Sequence, residues 1–304
     1  METRTRLLGA AAGTAVLFLA VQLATLALVE PFAGAGYRAV EDPSDPTNSL
    51  LYLGAILVMT GGILAIIRLG IERVLRVAVV LMSGMLAYYV FSVLVPPGPA
   101  GALPWALAAG LAVALYAHPE WYVIDAAGVV IGAGGAGLFG ISFGPLPALV
   151  LLGALAVYDA ISVYSTEHML TLAESVTDLK LPLVLVVPLS LSYSFLEDEA
   201  IEAEDPADRE AFFIGLGDTV MPTIMVASAA SFTAAPSLGV PGLAMNLPAL
   251  TAMIGTLVGL SGLLVLVSKG RAHAGLPLLN GGSIAGYLVG ALASGIPLVR
   301  AVGL

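Results

Sequence analysis

The sequence predicts an all-α, polytopic membrane protein with nine transmembrane helices, and three observations carry that prediction. The 304 residues have a mean hydropathy of +1.00, and 59% are apolar against 11% charged, where a soluble domain carries about 25% charged residues. The apolar positions gather into nine runs near the length of a bilayer-crossing helix, about 20 residues. Positive charge then divides cleanly between the two faces that nine spans define. The absence of cysteine excludes disulfides, thiolate chemistry and Cys-based metal sites. There is no basic tract for nucleic acid. The formal charge of −10 is local in origin, because eight of the 21 acids lie within 197–210.

The runs are 7–29, 50–67, 77–95, 102–117, 121–143, 147–165, 211–232, 247–267 and 276–298. The first follows METRTR and is too long for a signal-peptide core, so it is a signal-anchor helix. In the fifth, Gly128, Gly132, Ala136, Gly140 and Gly144 recur every four residues, as Gly282, Gly286, Gly290 and Ser294 do in the ninth. Such small-residue stripes let helices pack closely. A tenth apolar stretch, 181–195, is only 15 residues long and holds Pro182 and Pro188, so it is re-entrant, interfacial or buried rather than spanning.

Charge arbitrates between nine spans and ten. With nine, and the N-terminus inside, Arg4, Arg6, Arg68, Arg73, Arg76, Lys180, Arg209, Lys269 and Arg271 are cytoplasmic, and only Arg38 and Arg300 fall outside. Ten spans would place four basic residues outside. The chain therefore divides into 1–165 with six spans, a cytoplasmic loop at 166–210, and 211–304 with three. The C-terminus lies on the extracytoplasmic side.

Ionisable residues inside apolar helices are costly and mark function by default. Asp159 lies in the sixth span and Asp218 in the seventh. Asp125, near the start of the fifth, is accounted for by snorkelling or headgroup contact. Asp159 is six residues from the cytoplasmic end of its run and Asp218 seven from the end of its own, a depth of roughly 9–10 Å. The two helices run antiparallel, so the carboxylates can meet. Two such groups in a low-dielectric site share a proton, leaving one to act as general base toward water and one to donate to a carbonyl, the aspartic-protease arrangement. A carboxylate relay for proton or cation transport fits these positions equally well, and a structural pair is the third, lesser reading.

The flanking residues separate the readings. Gly215-Leu216-Gly217-Asp218 and Tyr158-Asp159 resemble the GxGD and YD signatures of the presenilin and signal peptide peptidase family of intramembrane aspartyl proteases. The resemblance implies nine spans, catalytic aspartates at 159 and 218, and support from Tyr158, Gly215, Leu216 and Gly217. The glycines would let a substrate backbone or partner helix approach the acid closely. The family's Pro-Ala-Leu motif, which opens its ninth span, corresponds to Pro277-Leu278-Leu279, with Ala changed to Leu. A literal Pro248-Ala249-Leu250 opens the eighth span on the opposite face and reads as a helix start. Residues 181–195 occupy the place of the presenilin loop segment that is self-cleaved. The closest description is a prokaryotic-type presenilin homologue in a cell membrane.

The resemblance implies an aspartic endopeptidase acting on transmembrane helices of single-pass proteins within the lipid bilayer, with no cofactor and no metal. A monomer and a homo-oligomer are equally compatible with it. The transporter or channel reading is the alternative. Gly140-Ile141-Ser142-Phe143-Gly144 matches the GxSxG nucleophile elbow, but that motif needs a strand–turn–helix setting and a histidine. His118, His168 and His273 all lie at the opposite face and lack the spacing of zinc ligands.

Overall fold

The computed structural model describes residues 2–95, 101–166, 183–190, 192–197, 210–267 and 273–304. His168, Lys180, Pro182, Arg209, Lys269, Arg271 and most of the acidic run 197–210 lie outside the described residues, as does most of the loop 166–210. The elements in chain order are α1 (Glu2–Gly34), α2 (Thr47–Arg68), α3 (Glu72–Leu94), α4 (Leu103–Ala117), α5 (Trp121–Ser142) and α6 (Pro145–Ile161). A π-turn (Ser162–Thr166), β1 (Val184–Pro188), β2 (Ala211–Gly215), α7 (Leu216–Phe232), α8 (Leu247–Val267), α9 (Leu276–Ala293) and the single turn α10 (Leu298–Ala301) follow. Seven helices among the described residues are long and apolar enough to cross a membrane. The shorter α4 and α7, of 15 and 17 residues, complete the bundle.

Helix α7 is its centre, packing against α1, α5, α6, α8 and α9. Residues 222–229 of α7 are buried without a break, the pattern of a helix enclosed on all sides. Leu26, Leu151, Leu152, Ile224, Met225 and Tyr287 belong to the core around it. Polar side chains tie the bundle together through backbone carbonyls: Ser283 donates to Pro222, Asn280 to Leu152, and Ser228 to Phe143. In a bilayer such bonds replace those water would supply.

The glycine stripes work as expected of close-packing surfaces. On α5, Gly132 accommodates Leu216 and Gly140 accommodates Ala227 of α7, while Gly128 accommodates Leu185 of β1. On α9, Gly282, Gly286 and Gly290 lie against the α8 backbone at Gly255, Thr251 and Pro248. Pro248 itself sits in the first turn of α8, the position where its missing N–H is not needed.

The helix expected over 211–232 begins five residues later, because 211–215 is strand. Ala211-Phe212-Phe213-Ile214-Gly215 is rich in aromatic and branched residues, which favour a pleated backbone. A partner is at hand in the short apolar stretch at 181–195, where β1 lies buried. The strands pair antiparallel, with Val184 opposite Gly215 and Pro188 opposite Ala211. Leu216 N–H donates to Leu183 C=O and Leu189 N–H to Glu210 C=O, each at 2.8 Å. That phase directs residue 188 away from β2, so the absent N–H of Pro188 breaks no rung of the ladder.

Candidate active site

Asp159 stands two residues before the end of α6, and Asp218 is the third residue of α7. Because strand replaces the first turns expected of the seventh span, Asp218 sits at a helix start. Asp159 is buried, at 7% exposure. Its Oδ2 accepts the Leu276 N–H at 3.0 Å, and the Gly275 N–H also faces it. Asp218 is half-buried. It lies between two glycines: a Cβ on Gly215 would stand 3.3 Å from Asp218 Oδ2, and one on Gly275 3.5 Å.

Both carboxylates thus converge on residues 275–276, at the start of α9. With ~3 Å of backbone between the two points of contact, the oxygens lie within about 10 Å of each other. At this range the charge on Asp159 acts on Asp218.

The remaining candidate residues fall around this centre in distinct ways. Pro277 occupies the first turn of α9. The Leu278 carbonyl lies against Gly259 of α8, and the fully buried Leu279 packs with Phe18, Leu260 and Ile214 of β2. Leu216 is buried in the notch made by Gly128 and Gly132. Tyr158 turns toward α2, lining a cavity of about 220 Å³ with Leu53, Ile56, Leu57, Ala154 and Leu155. The two motif glycines differ. Gly215 touches the acid, whereas a Cβ on Gly217 would meet nothing among the described residues.

Three residues were not read as site neighbours from sequence. Gly275 precedes the Pro-Leu-Leu motif and flanks Asp218. Asp125 is buried, and its Oδ1 accepts the Val186 N–H of β1 at 2.8 Å, a role unlike headgroup contact. Glu120 accepts the Ser194 hydroxyl at 2.6 Å and the Phe195 N–H at 2.9 Å. Their partners lie 61 to 75 residues away, which no local pattern reveals. Ser142, the GxSxG serine, donates to Leu138 C=O and accepts the Ala39 N–H. Those bonds give it a structural role.

Burial works against the Glu120 charge, but hydrogen bonds from Ser194 and from the N–H groups of Phe195, Trp121 and Leu196 outweigh it and hold the carboxyl below the ordinary glutamate range. A lowered folded value means the stabilisation is complete above the unfolded pKa of about 4.5 and fades as pH falls through the folded one. Glu120→Gln is therefore expected to melt below the parent protein at pH 7. The gap between the two should narrow in mild acid below pH ~4, as read by thermal denaturation in detergent.

The chain matches the family described as signal-peptide peptidase, presenilin aspartyl protease over residues 15–296. The chain belongs to this family. Two solved structures of a presenilin family intramembrane aspartate protease resemble it. The one in space group C222 is 38% identical, covers 93% of this chain and 99% of its own, and superposes with a TM-score of 0.70. The one in space group P2 is 39% identical, covers 92% and 97%, and gives 0.67. No curated protein matches. This presenilin-family protein is a multi-pass integral membrane protein and an aspartic endopeptidase of the intramembrane-cleaving kind.

Proposed function

We propose that Asp159 and Asp218 are the catalytic pair of this intramembrane protease and that its substrates are single-pass transmembrane helices. The observation that carries the reading is the convergence of both carboxylates on residues 275–276. One ionised acid takes a proton from a water while the protonated acid donates to the scissile carbonyl. The resulting gem-diol collapses as the amide nitrogen is protonated and the C–N bond breaks. No cofactor and no nucleophilic side chain enters these steps. A hydroxyethylene isostere, which carries the tetrahedral hydroxyl of that intermediate, is expected to bind far more tightly than substrate.

A peptide bond in a helix is shielded, so the substrate must unwind, and its freed backbone groups need partners inside the protein. Strand addition supplies them. β2 is the favoured acceptor: Ala211, Phe213 and Gly215 point away from β1 by the strand register, and Gly215 adjoins Asp218. Gly217 lies open beside Asp218, Pro277 starts the helix that presents the Leu276 amide, and Tyr158, Leu216, Leu278 and Leu279 act from behind by packing the helices that carry the acids. The open position at Gly217 leaves room for the substrate backbone. Water enters from the cytoplasmic side, where the 9-to-2 division of basic residues also puts the N-terminus, in a prokaryotic cell membrane.

The direct test incubates the purified protein with a panel of single-pass helices and reads products by mass. Cuts inside the apolar segment support the proposal. Cleavage confined to soluble flanks refutes it.

A further inference from the structure

The hydrogen-bond phase of the two-stranded sheet leaves two free edges, and they are not equivalent. Leu183 and Leu189 bond across to β2, so residues 184, 186 and 188 of β1 turn their backbone groups outward. Residue 188 is proline and has no donor. The Val186 N–H is taken by the buried Asp125 carboxylate, about one turn into α5. Two of the three outward donors of β1 are therefore removed, one missing at Pro188 and one occupied at Val186, and only Val184 keeps its own. On β2 the outward groups of Phe213 pair with no third strand among the described residues. Glu120 adds a second tie from the same helix end to Ser194 and Phe195, just beyond β1.

We propose that Asp125 is a positioning residue. By accepting the Val186 amide it blocks the middle of the outer edge of β1 and fastens the sheet to α5, so that an incoming substrate strand registers on β2 beside Asp218. A carboxylate buried in an apolar helix is costly, and here its oxygen stands where a competing strand would otherwise pair. Asp125 touches neither substrate nor Asp218. It acts through the sheet, and losing it weakens productive docking while the chemical step stays intact. The inference rests on the protease reading.

The experiment measures kcat and KM of the full-length protein for a single-pass helix. Asp125→Leu is expected to raise KM by about tenfold or more, the scale of a lost charge-assisted hydrogen bond, with kcat preserved. Asp125→Asn keeps an acceptor oxygen and restores KM. Val186→Pro deletes the donor instead and should raise KM by itself, and the double variant Asp125→Leu/Val186→Pro should be no worse than either single one. A melting curve in detergent on each single variant confirms that all three are folded, and if Val186→Pro is not, the contrast between Asp125→Leu and Asp125→Asn carries the test. An unchanged KM in both singles, an additive double variant, an Asn variant as weak as Leu, or a fall in kcat alone would each overturn the proposal. Asp218→Asn in the same assay reports on the protease reading independently: retained cleavage there sinks that reading, whereas an inactive Asp218→Asn beside a normal Asp125→Leu sinks only the role of Asp125.

Discussion

Asp159→Asn and Asp218→Asn are each expected to lower cleavage of a transmembrane-helix substrate by a factor on the order of 10²–10⁴, the scale of a lost general acid or base. Both variants should still insert and fold. Asparagine keeps an oxygen at position 159 for the Leu276 N–H, which the Asp159 Oδ2 accepts at 3.0 Å. At position 218 the neighbours are glycines, which tolerate an isosteric amide. The double variant should be no slower than the slower single one, because two groups that act as a unit lose their function together. Mass readout of products settles the rates, and a melting curve in detergent settles the fold. Substantial cleavage by either single variant would remove the shared-proton mechanism.

The second large effect separates the two glycines of the GxGD motif. Gly215→Val is expected to reduce kcat by about 10²-fold, the cost of displacing a reacting group by roughly 1 Å. The backbone at Gly215, with φ −57 and ψ 130, is open to any residue, so strain is not the cause. The cause is contact: the Cβ alone would stand 3.3 Å from Asp218 Oδ2, and the branches of valine press further on the carboxylate. Gly217→Val meets open space instead. It is expected to raise KM while leaving kcat and the melting temperature near those of the parent. Full steady-state kinetics on both variants distinguish the two. Equal kcat losses at 215 and 217 would show that they crowd the same group.

How far this architecture was legible follows from which interactions are local. A helix that crosses a bilayer announces itself as one long apolar run, because the solvent demands it. The glycine stripes at Gly128–Gly144 and Gly282–Gly290 are equally one-dimensional signals, and each faces a close neighbour. Residues 211–215 looked like the first turns of a helix for the same reason that they are apolar. What makes them strand is β1, a partner 23 to 31 residues earlier, from Pro188 opposite Ala211 to Val184 opposite Gly215. The depth of Asp125 alone suggests headgroup contact, whereas its position is explained by a Val186 amide far along the chain. Asp159 and Asp218 stand out as ionisable residues at matched depth in apolar spans and Tyr158 through its motif, while Gly275 has no motif to mark it and becomes visible only with α9 folded against the acid.

The amide that Leu276 lends to Asp159 restricts how this stretch of chain can diversify. Proline is welcome at 277, where a helix start has an N–H to spare, but one place earlier the same residue would take away one of the two amides that face the carboxylate. Moving the proline by one residue would thus leave Gly275 alone to hold the Asp159 oxygen, and the register of a two-residue step at the helix border decides how firmly that side chain is aimed.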